Sequence, residues 1–266
     1  MEVPLYQVDA FTLTQFAGNP AAVCRLNSWL PAHVMQAIAS ENNLAETAFT
    51  VREGERWGIR WFTPKVEVDL CGHATLAAAY VLFRWEGVAG ERIAFDSRSG
   101  ELTVTRRDDW LTLDFPSLPA GRLTPHPRLI DGLGTQPLEI LAAKDTYLVV
   151  YASEEDVRLL NPNYEVLRTM DRLGVIVTAR AAEVDFVSRF FAPAAGIDED
   201  PVTGSAHCTL APYWAQRLNK SELRARQVSA RGGELRVETA ADRVLISGQV
   251  APYLRGTIEL MEDPAA

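Results

Sequence analysis

The sequence predicts an α+β fold made of two related halves, each a set of strands wrapped around one central helix. Three observations carry that prediction. First, Trp61-Phe-Thr-Pro followed by Asp69-Leu-Cys-Gly-His-Ala-Thr-Leu-Ala-Ala-Ala-Tyr80 has a counterpart later in the chain. This is Phe190-Phe-Ala-Pro followed by Asp200-Pro-Val-Thr-Gly-Ser-Ala-His-Cys-Thr-Leu-Ala-Pro-Tyr213. The register needs a gap or two, so the repeat is weak. Both copies nevertheless offer Phe-x-Pro, an Asp, a Gly followed by a polar residue and Ala, then a helix carrying Leu-Ala and Tyr. Second, Cys71 to Phe83 reads as a helix whose face of Ala74, Ala77, Ala78 and Val81 is apolar and small, as in a helix packed on all sides. Third, strands recur on both sides of one breaker-rich segment, while the βαβα alternation of a doubly wound sheet is missing.

In chain order, Leu5 to Phe11 reads as a strand, Gly18-Asn19-Pro20 as a turn, and Ala21 to Leu26 as extended chain. Val34, Ala37 and Ile38 recur at helical spacing between Pro31 and Asn42, with Pro31 placed as an N1 proline would be. Asn42 and Asn43 suit a left-handed helix end, and Thr47 to Val51 is β-rich, so Glu46 falls where a loop enters a strand. Strands follow over Arg56 to Thr63, Arg92 to Asp96 and Glu101 to Phe115, with Asp108-Asp109 a turn. Pro116 to Pro127 is the richest run of breakers and marks a linker, giving domains 1–115 and 128–266, the last strand being able to return to the first domain. Beyond it, strands are expected at Tyr147 to Tyr151, Val175 to Thr178, Val184 to Phe191, Arg226 to Ser229, Glu234 to Thr239, Val244 to Val250 and Gly256 to Leu260. A helix or turn is expected to open at Ser153-Glu-Glu-Asp, and helices at Tyr164 to Asp171 and Ala206 to Leu218.

Composition narrows the functional classes. With 266 residues, 47% apolar and 23% charged, the chain has the make-up of a soluble globular protein of two domains or one large one. A net charge of −9 argues against sequence-independent nucleic-acid binding, but leaves room for an anionic small substrate in a locally positive cleft. No apolar run spans a bilayer, and Met1-Glu-Val-Pro-Leu-Tyr lacks the regions of a signal peptide, so a cytoplasmic protein is expected. Cys24, Cys71 and Cys208 are odd in number and form no Cys-x-x-Cys pair. Neither a metal site nor a nicotinamide, pyridoxal phosphate or other cofactor motif is present, and Gly204-Ser205-Ala206 lacks the second Gly of a nucleophile elbow.

The chemistry concentrates in a few residues. Asp198-Glu-Asp-Pro-Val-Thr-Gly-Ser-Ala-His207 joins an apolar strand to a helix, and its small residues can leave backbone N–H groups free for a carboxylate or phosphate. A capped turn is the plain alternative. Glu46 stands among Leu44, Ala45, Thr47, Ala48 and Phe49 with no cation before Arg52, as suits a carboxyl that both takes and gives a proton. A surface glutamate at a strand start would look the same. His73, after Gly72, can bind a ligand or be an ordinary satisfied histidine. Asp200 can accept a hydrogen bond or assist proton transfer, and Ser205 can cap the helix or donate to a carboxylate. Asp69, the counterpart of Asp200, reads equally well as a helix N-terminal charge. Cys71 and Cys208 raise the option of a thiol pair in a cofactor-free racemase, although Cys208 lies inside its helix and buried structural cysteines fit as well.

Taken together, Val8-Asp-Ala-Phe, Gly18-Asn-Pro-Ala-Ala-Val23, Asn43-Leu-Ala-Glu-Thr-Ala-Phe49, Phe62-Thr-Pro, Cys71-Gly-His-Ala-Thr75 and Asp198 to His207 resemble the phenazine-biosynthesis PhzF family, in the same order and over nearly the whole chain. That resemblance implies a diaminopimelate-epimerase-like fold of two similar domains, each a strand-built barrel around a central helix, with the active site between them and homodimers common. It implies a cofactor-independent isomerase in which Glu46 is the general acid/base. His73, Asp200 and Ser205 would bind substrate and assist, and Gly72 and Gly204 would supply backbone donors. Cys71 falls where racemases of the wider fold keep one thiol, while Pro201-Val202 stand near the other. A two-base racemase using Cys71, or a binding protein without catalysis, are the rival readings.

Overall fold

A computed structural model of the chain describes residues 1–124 and 126–261. The chain folds into two compact units, Met1–Asp114 with Gly248–Ala266, and Phe115–Ser247. In the first unit, Val250–Glu259, Glu2–Ala10 and Asn19–Leu26 pair antiparallel in succession. Glu46–Glu53 then joins Asn19–Leu26 in parallel and Arg56–Phe62 follows antiparallel. Arg92–Ser97 lies parallel to Arg56–Phe62 and is followed antiparallel by Gly100–Arg107. Helix Gly72–Arg84 packs against strands near both ends of this order as well as its middle, so the sheet curls around it. Its residues from His73 to Ala79 are all buried, which is why small Ala side chains occupy it: strands approach from several sides at once. Helix Ala32–Asn42 covers the outer face through Met35, Ile38 and Ala39, which meet Cys24, Phe49 and Phe62.

The second unit repeats that order of pairings. Glu139–Ala143 and Thr146–Val150 are antiparallel, Gly174–Arg180 joins in parallel, and Phe186–Ala192 follows antiparallel. Glu222–Gln227 then adds in parallel, followed antiparallel by Gly233–Ala240 and Arg243–Gly248. Helix His207–Leu218 takes the central place, with Trp214 stacked on Phe186 and its indole N–H donating to Thr178 at 3.0 Å. The weak sequence repeat is therefore a repeat of topology. Pro212 sits within this helix and has no N–H for the Cys208 carbonyl. Leu118 donates its own N–H to that carbonyl at 2.9 Å and satisfies it.

Both units also share one side-chain device. Arg60 forks onto Glu67 at 2.6 and 2.8 Å, and Arg189 forks onto Glu199 at 2.7 and 2.9 Å. In each case the arginine precedes the Phe-x-Pro corner and the glutamate lies on the short strand that folds back, Glu67–Val68 or Ile197–Asp200.

Several elements depart from expectation. The helix expected over Tyr164 to Asp171 is regular only over Tyr164–Leu167, after which Thr169 and Met170 turn back onto Val166 and Leu167 three residues away. The strand expected at Arg226 to Ser229 is Glu222–Gln227, and Val244 to Val250 divides into Arg243–Gly248 and Val250–Glu259. Helix Leu129–Leu133 and strand Glu139–Ala143 were not anticipated, and Gly121–Arg122, inside the breaker-rich segment, pairs with that strand. No helix among the described residues is long and apolar enough to cross a membrane.

Candidate active site

The first unit brings Glu46, Cys71, His73 and Asn19 together. Glu46 opens strand Glu46–Glu53, opposite Ala21 of the neighbouring parallel strand. Cys71, expected within the helix, is instead its N-cap, with extended backbone at φ −144° and ψ 113°. Gly72 and His73 then form the first turn. Nε2 of His73 lies 3.2 Å from Oε2 of Glu46, although the two atoms do not meet at a hydrogen-bonding angle. On the other side of the ring, Nδ1 is 3.2 Å from the Asn19 amide nitrogen and 3.5 Å from the Cys71 sulfur.

Burial pushes the His73 imidazole down to about 3, because a charged ring there would forfeit its hydration. The short distance to Glu46 would admit an ion pair, but a ring so deeply buried is neutral at ordinary pH. The contact is thus one between a carboxyl group and a neutral imidazole.

Glu46, Cys71 and His73 offer ligand atoms within 4.8 Å of one another, a spacing a metal ion could span. The ring argues against it. Glu46 faces Nε2 while Cys71 faces Nδ1, and one ion bound through a single ring nitrogen cannot take both in a tetrahedral site without rearrangement.

The second unit holds Asp200, Gly204 and Ser205. Asp200 ends the strand Ile197–Asp200, and its carboxylate accepts a hydrogen bond from the Thr203 hydroxyl. Gln227, fully buried, pins the loop between them. Its oxygen accepts from the Thr203 N–H at 2.8 Å, and its nitrogen donates to the Asp200 carbonyl at 2.7 Å and the Thr203 hydroxyl at 3.3 Å. Ser229 donates to the Pro201 carbonyl at 2.7 Å. Ser205, weighed as a helix cap, is exposed; Ala206 holds that position, so no side chain caps the helix. Cys208 lies in the helix with its thiol pushed up to about 12 by burial, which disfavours a thiolate.

Neither central helix has a side-chain cap or an acidic residue in its first turn. Helix Glu154–Leu159, by contrast, opens on a reciprocal box between Ser153 and Asp156. At the head of Gly72–Arg84 the amides therefore keep donor capacity beside the positive end of the helix dipole, a combination suited to a carboxylate. At the second helix, by contrast, the His207, Cys208 and Thr209 amides already donate to the Gly204, Ser205 and Ala206 carbonyls.

Asn19 and Gln227 are assigned no role by the sequence. Asn19 stands there only as part of a turn and of the Gly18-Asn-Pro-Ala-Ala-Val23 motif, and Gln227 carries no signal.

Comparison with known proteins bears on the whole arrangement. A family model described as phenazine biosynthesis-like protein matches residues 8–256. An uncharacterised isomerase of Pseudomonas aeruginosa is 55% identical, covering 98% of this chain and 100% of its own. A crystal structure of a PhzF-family phenazine biosynthesis protein from Enterococcus faecalis is 49% identical with a TM-score of 0.95, over 98% of this chain and 100% of that one. A solved predicted epimerase from Pseudomonas aeruginosa, at 20% identity, has a TM-score of 0.79 over 97% of this chain and 100% of its own, and shows the fold alone.

Proposed function

The chain belongs to the phenazine biosynthesis-like PhzF family, whose members include proteins named as isomerases, and from that premise we propose a cofactor-independent isomerase of a small carboxylate-bearing metabolite. Glu46 is its general acid/base. It takes a proton from a carbon activated by the substrate carboxylate, and the electron pair of the broken C–H bond moves toward that carboxylate as enol-like charge. The uncapped amides at the head of Gly72–Arg84 stabilise that charge. Protonated Glu46 then returns the proton to another carbon on the same face, so that the double bond shifts and no redox partner is needed. His73 faces Glu46 as a neutral ring whose N–H donates to the carboxyl once substrate tightens the contact.

The observation that carries this reading is the Glu46 carboxyl 3.2 Å from a buried imidazole in the first turn of the uncapped helix. A loose carboxyl–imidazole contact is what a general base shows before substrate tightens it.

The test is deuterium incorporation from D2O into a panel of small unsaturated and hydroxy carboxylates. Glu46→Gln is expected to lower exchange by about 10³-fold or more while leaving ligand binding intact. Exchange retained in that variant rejects Glu46 as the base. The contact between Cys71 and His73 favours one alternative, a racemase using the thiol. Cys71→Ala separates the two readings: it abolishes exchange if the thiol is a base and spares most of it if Glu46 acts alone.

A further inference from the structure

Asn19 begins strand Asn19–Leu26 with its side chain completely buried, and its Nδ2 lies 3.2 Å from Nδ1 of His73. An amide nitrogen can only donate, so Nδ1 has to accept, and in a neutral ring the proton then sits on Nε2. We propose that Asn19 is a positioning residue that holds His73 in the Nε2-protonated tautomer, so that the ring presents an N–H rather than a lone pair to Glu46. The inference rests on the reading of Glu46 as the base, and it adds the residue that decides what Glu46 faces.

The backbone makes Asn19 hard to displace. Residue 19 pairs with Ala10 in the antiparallel ladder. Gly18 before it has φ +65°, and a Cβ there would come within 2.2 Å of the Ala10 carbonyl oxygen. Only glycine allows this approach, which delivers the following carboxamide into the core. Two further polar groups face the ring, Cys71 at Nδ1 and Glu46 at Nε2. A thiol S–H directed at Nδ1 would reinforce the same tautomer.

The consequence for catalysis is electrostatic. With the proton on Nε2, the group 3.2 Å from Glu46 is a donor, which favours the carboxylate form needed to take a proton. In the opposite tautomer two acceptors would face one another there, and the carboxyl group would be driven to hold a proton itself before substrate arrives.

Nitrogen-15 NMR of the histidine-labelled protein reads the tautomer directly, without substrate. The chain has four histidines, and the His73 resonances are those lost in His73→Gln. In the wild type, Nδ1 is expected to give an acceptor-type signal and Nε2 a protonated one, unchanged between pH 5 and 8. Asn19→Asp keeps the size but replaces the donor with an acceptor, and is expected to place a proton on Nδ1. In the exchange assay the same variant should lose activity by about 10²-fold, in kcat rather than KM. A protonated Nδ1 in the wild type overturns the proposal whether or not any variant folds, and so does an unchanged spectrum in Asn19→Asp. Activity retained in Glu46→Gln would instead overturn the base assignment alone, and the nitrogen spectrum would still decide the tautomer.

Discussion

His73 and His207 both lie at the heads of central helices, yet their rings are held differently. His207 donates from Nδ1 to the Thr203 carbonyl at 2.8 Å, whereas His73 accepts at Nδ1. When the two turns are aligned on Gly72 and Gly204, the counterpart of His207 is Thr75, which makes the matching bond by donating its hydroxyl to the Cys71 carbonyl at 2.5 Å. The residue before each glycine is thus tied to the fourth residue beyond it in both units, and His73 is released from that structural duty to face Glu46. Gln227 gives the sharpest residue-scale prediction. It is fully buried and serves the Thr203 N–H, the Asp200 carbonyl and the Thr203 hydroxyl at once. Gln227→Leu keeps the volume but strands the Thr203 N–H and the Asp200 carbonyl, at about 1–3 kcal/mol each, while the Thr203 hydroxyl keeps its bond to the Asp200 carboxylate. Chemical denaturation should therefore show a loss of about 2–6 kcal/mol. A variant as stable as the wild type would show that water or a rearranged loop satisfies these groups.

At the scale of elements, the Arg–Glu forks explain how each Phe-x-Pro corner is held against its return strand. Arg189 reaches further than Arg60, donating also to the Leu160 carbonyl at 2.8 Å and the Val157 carbonyl at 3.2 Å, and so ties helix Glu154–Leu159 to the corner that leads to Asp200. The Arg189 and Glu199 side chains are 11% and 18% exposed, so little water would replace the lost contacts. Arg189→Met should cost roughly 2–4 kcal/mol, somewhat less than the loss of one partner from a fully buried pair. Arg60→Met should cost less, since among the described residues Arg60 makes no comparable bonds to helix carbonyls. Equal losses in the two variants would mean that the helix contacts contribute nothing. The corners themselves were legible in the sequence, because Phe-x-Pro and Gly-polar-Ala are local chemistry repeated in order. What stayed hidden was set by distant partners: Asn19 acts on a residue 54 positions away and Gln227 on one 24 away. Strand Glu139–Ala143 was hidden for another reason. Leu-Ala-Ala before a left-handed Lys144 at φ 38° offers no β-branched alternation, and only its neighbours on both sides make it a strand. Cys71 read as helix because Gly72 to Arg84 is strongly helical and nothing local marks the residue before it as extended.

For the molecule as a whole, two buried neutral histidines make stability depend on pH in a defined direction. Burial holds His73 at about 3 and His207 at about 4, the latter against an opposing bond to the Thr203 carbonyl. In the unfolded chain both titrate near 6.5. Below that pH the unfolded state binds protons that the folded state refuses, so the stability present above about 6.5 is lost progressively as the pH falls toward the folded values. Each histidine contributes a slope of about 1.4 kcal/mol per pH unit in that window, or about 2 kcal/mol by pH 5. Urea unfolding at pH 7.5 and pH 5 should accordingly show a large acid loss in the wild type. In His207→Gln, which keeps a donor for the Thr203 carbonyl but cannot titrate, that loss should shrink by about 2 kcal/mol, whatever the variant's stability at pH 7.5. Comparing the two pH values within each variant removes the packing change from the result. An acid loss of equal size in both proteins would mean that His207 takes up its proton in the folded state, and that water reaches the core around the second central helix.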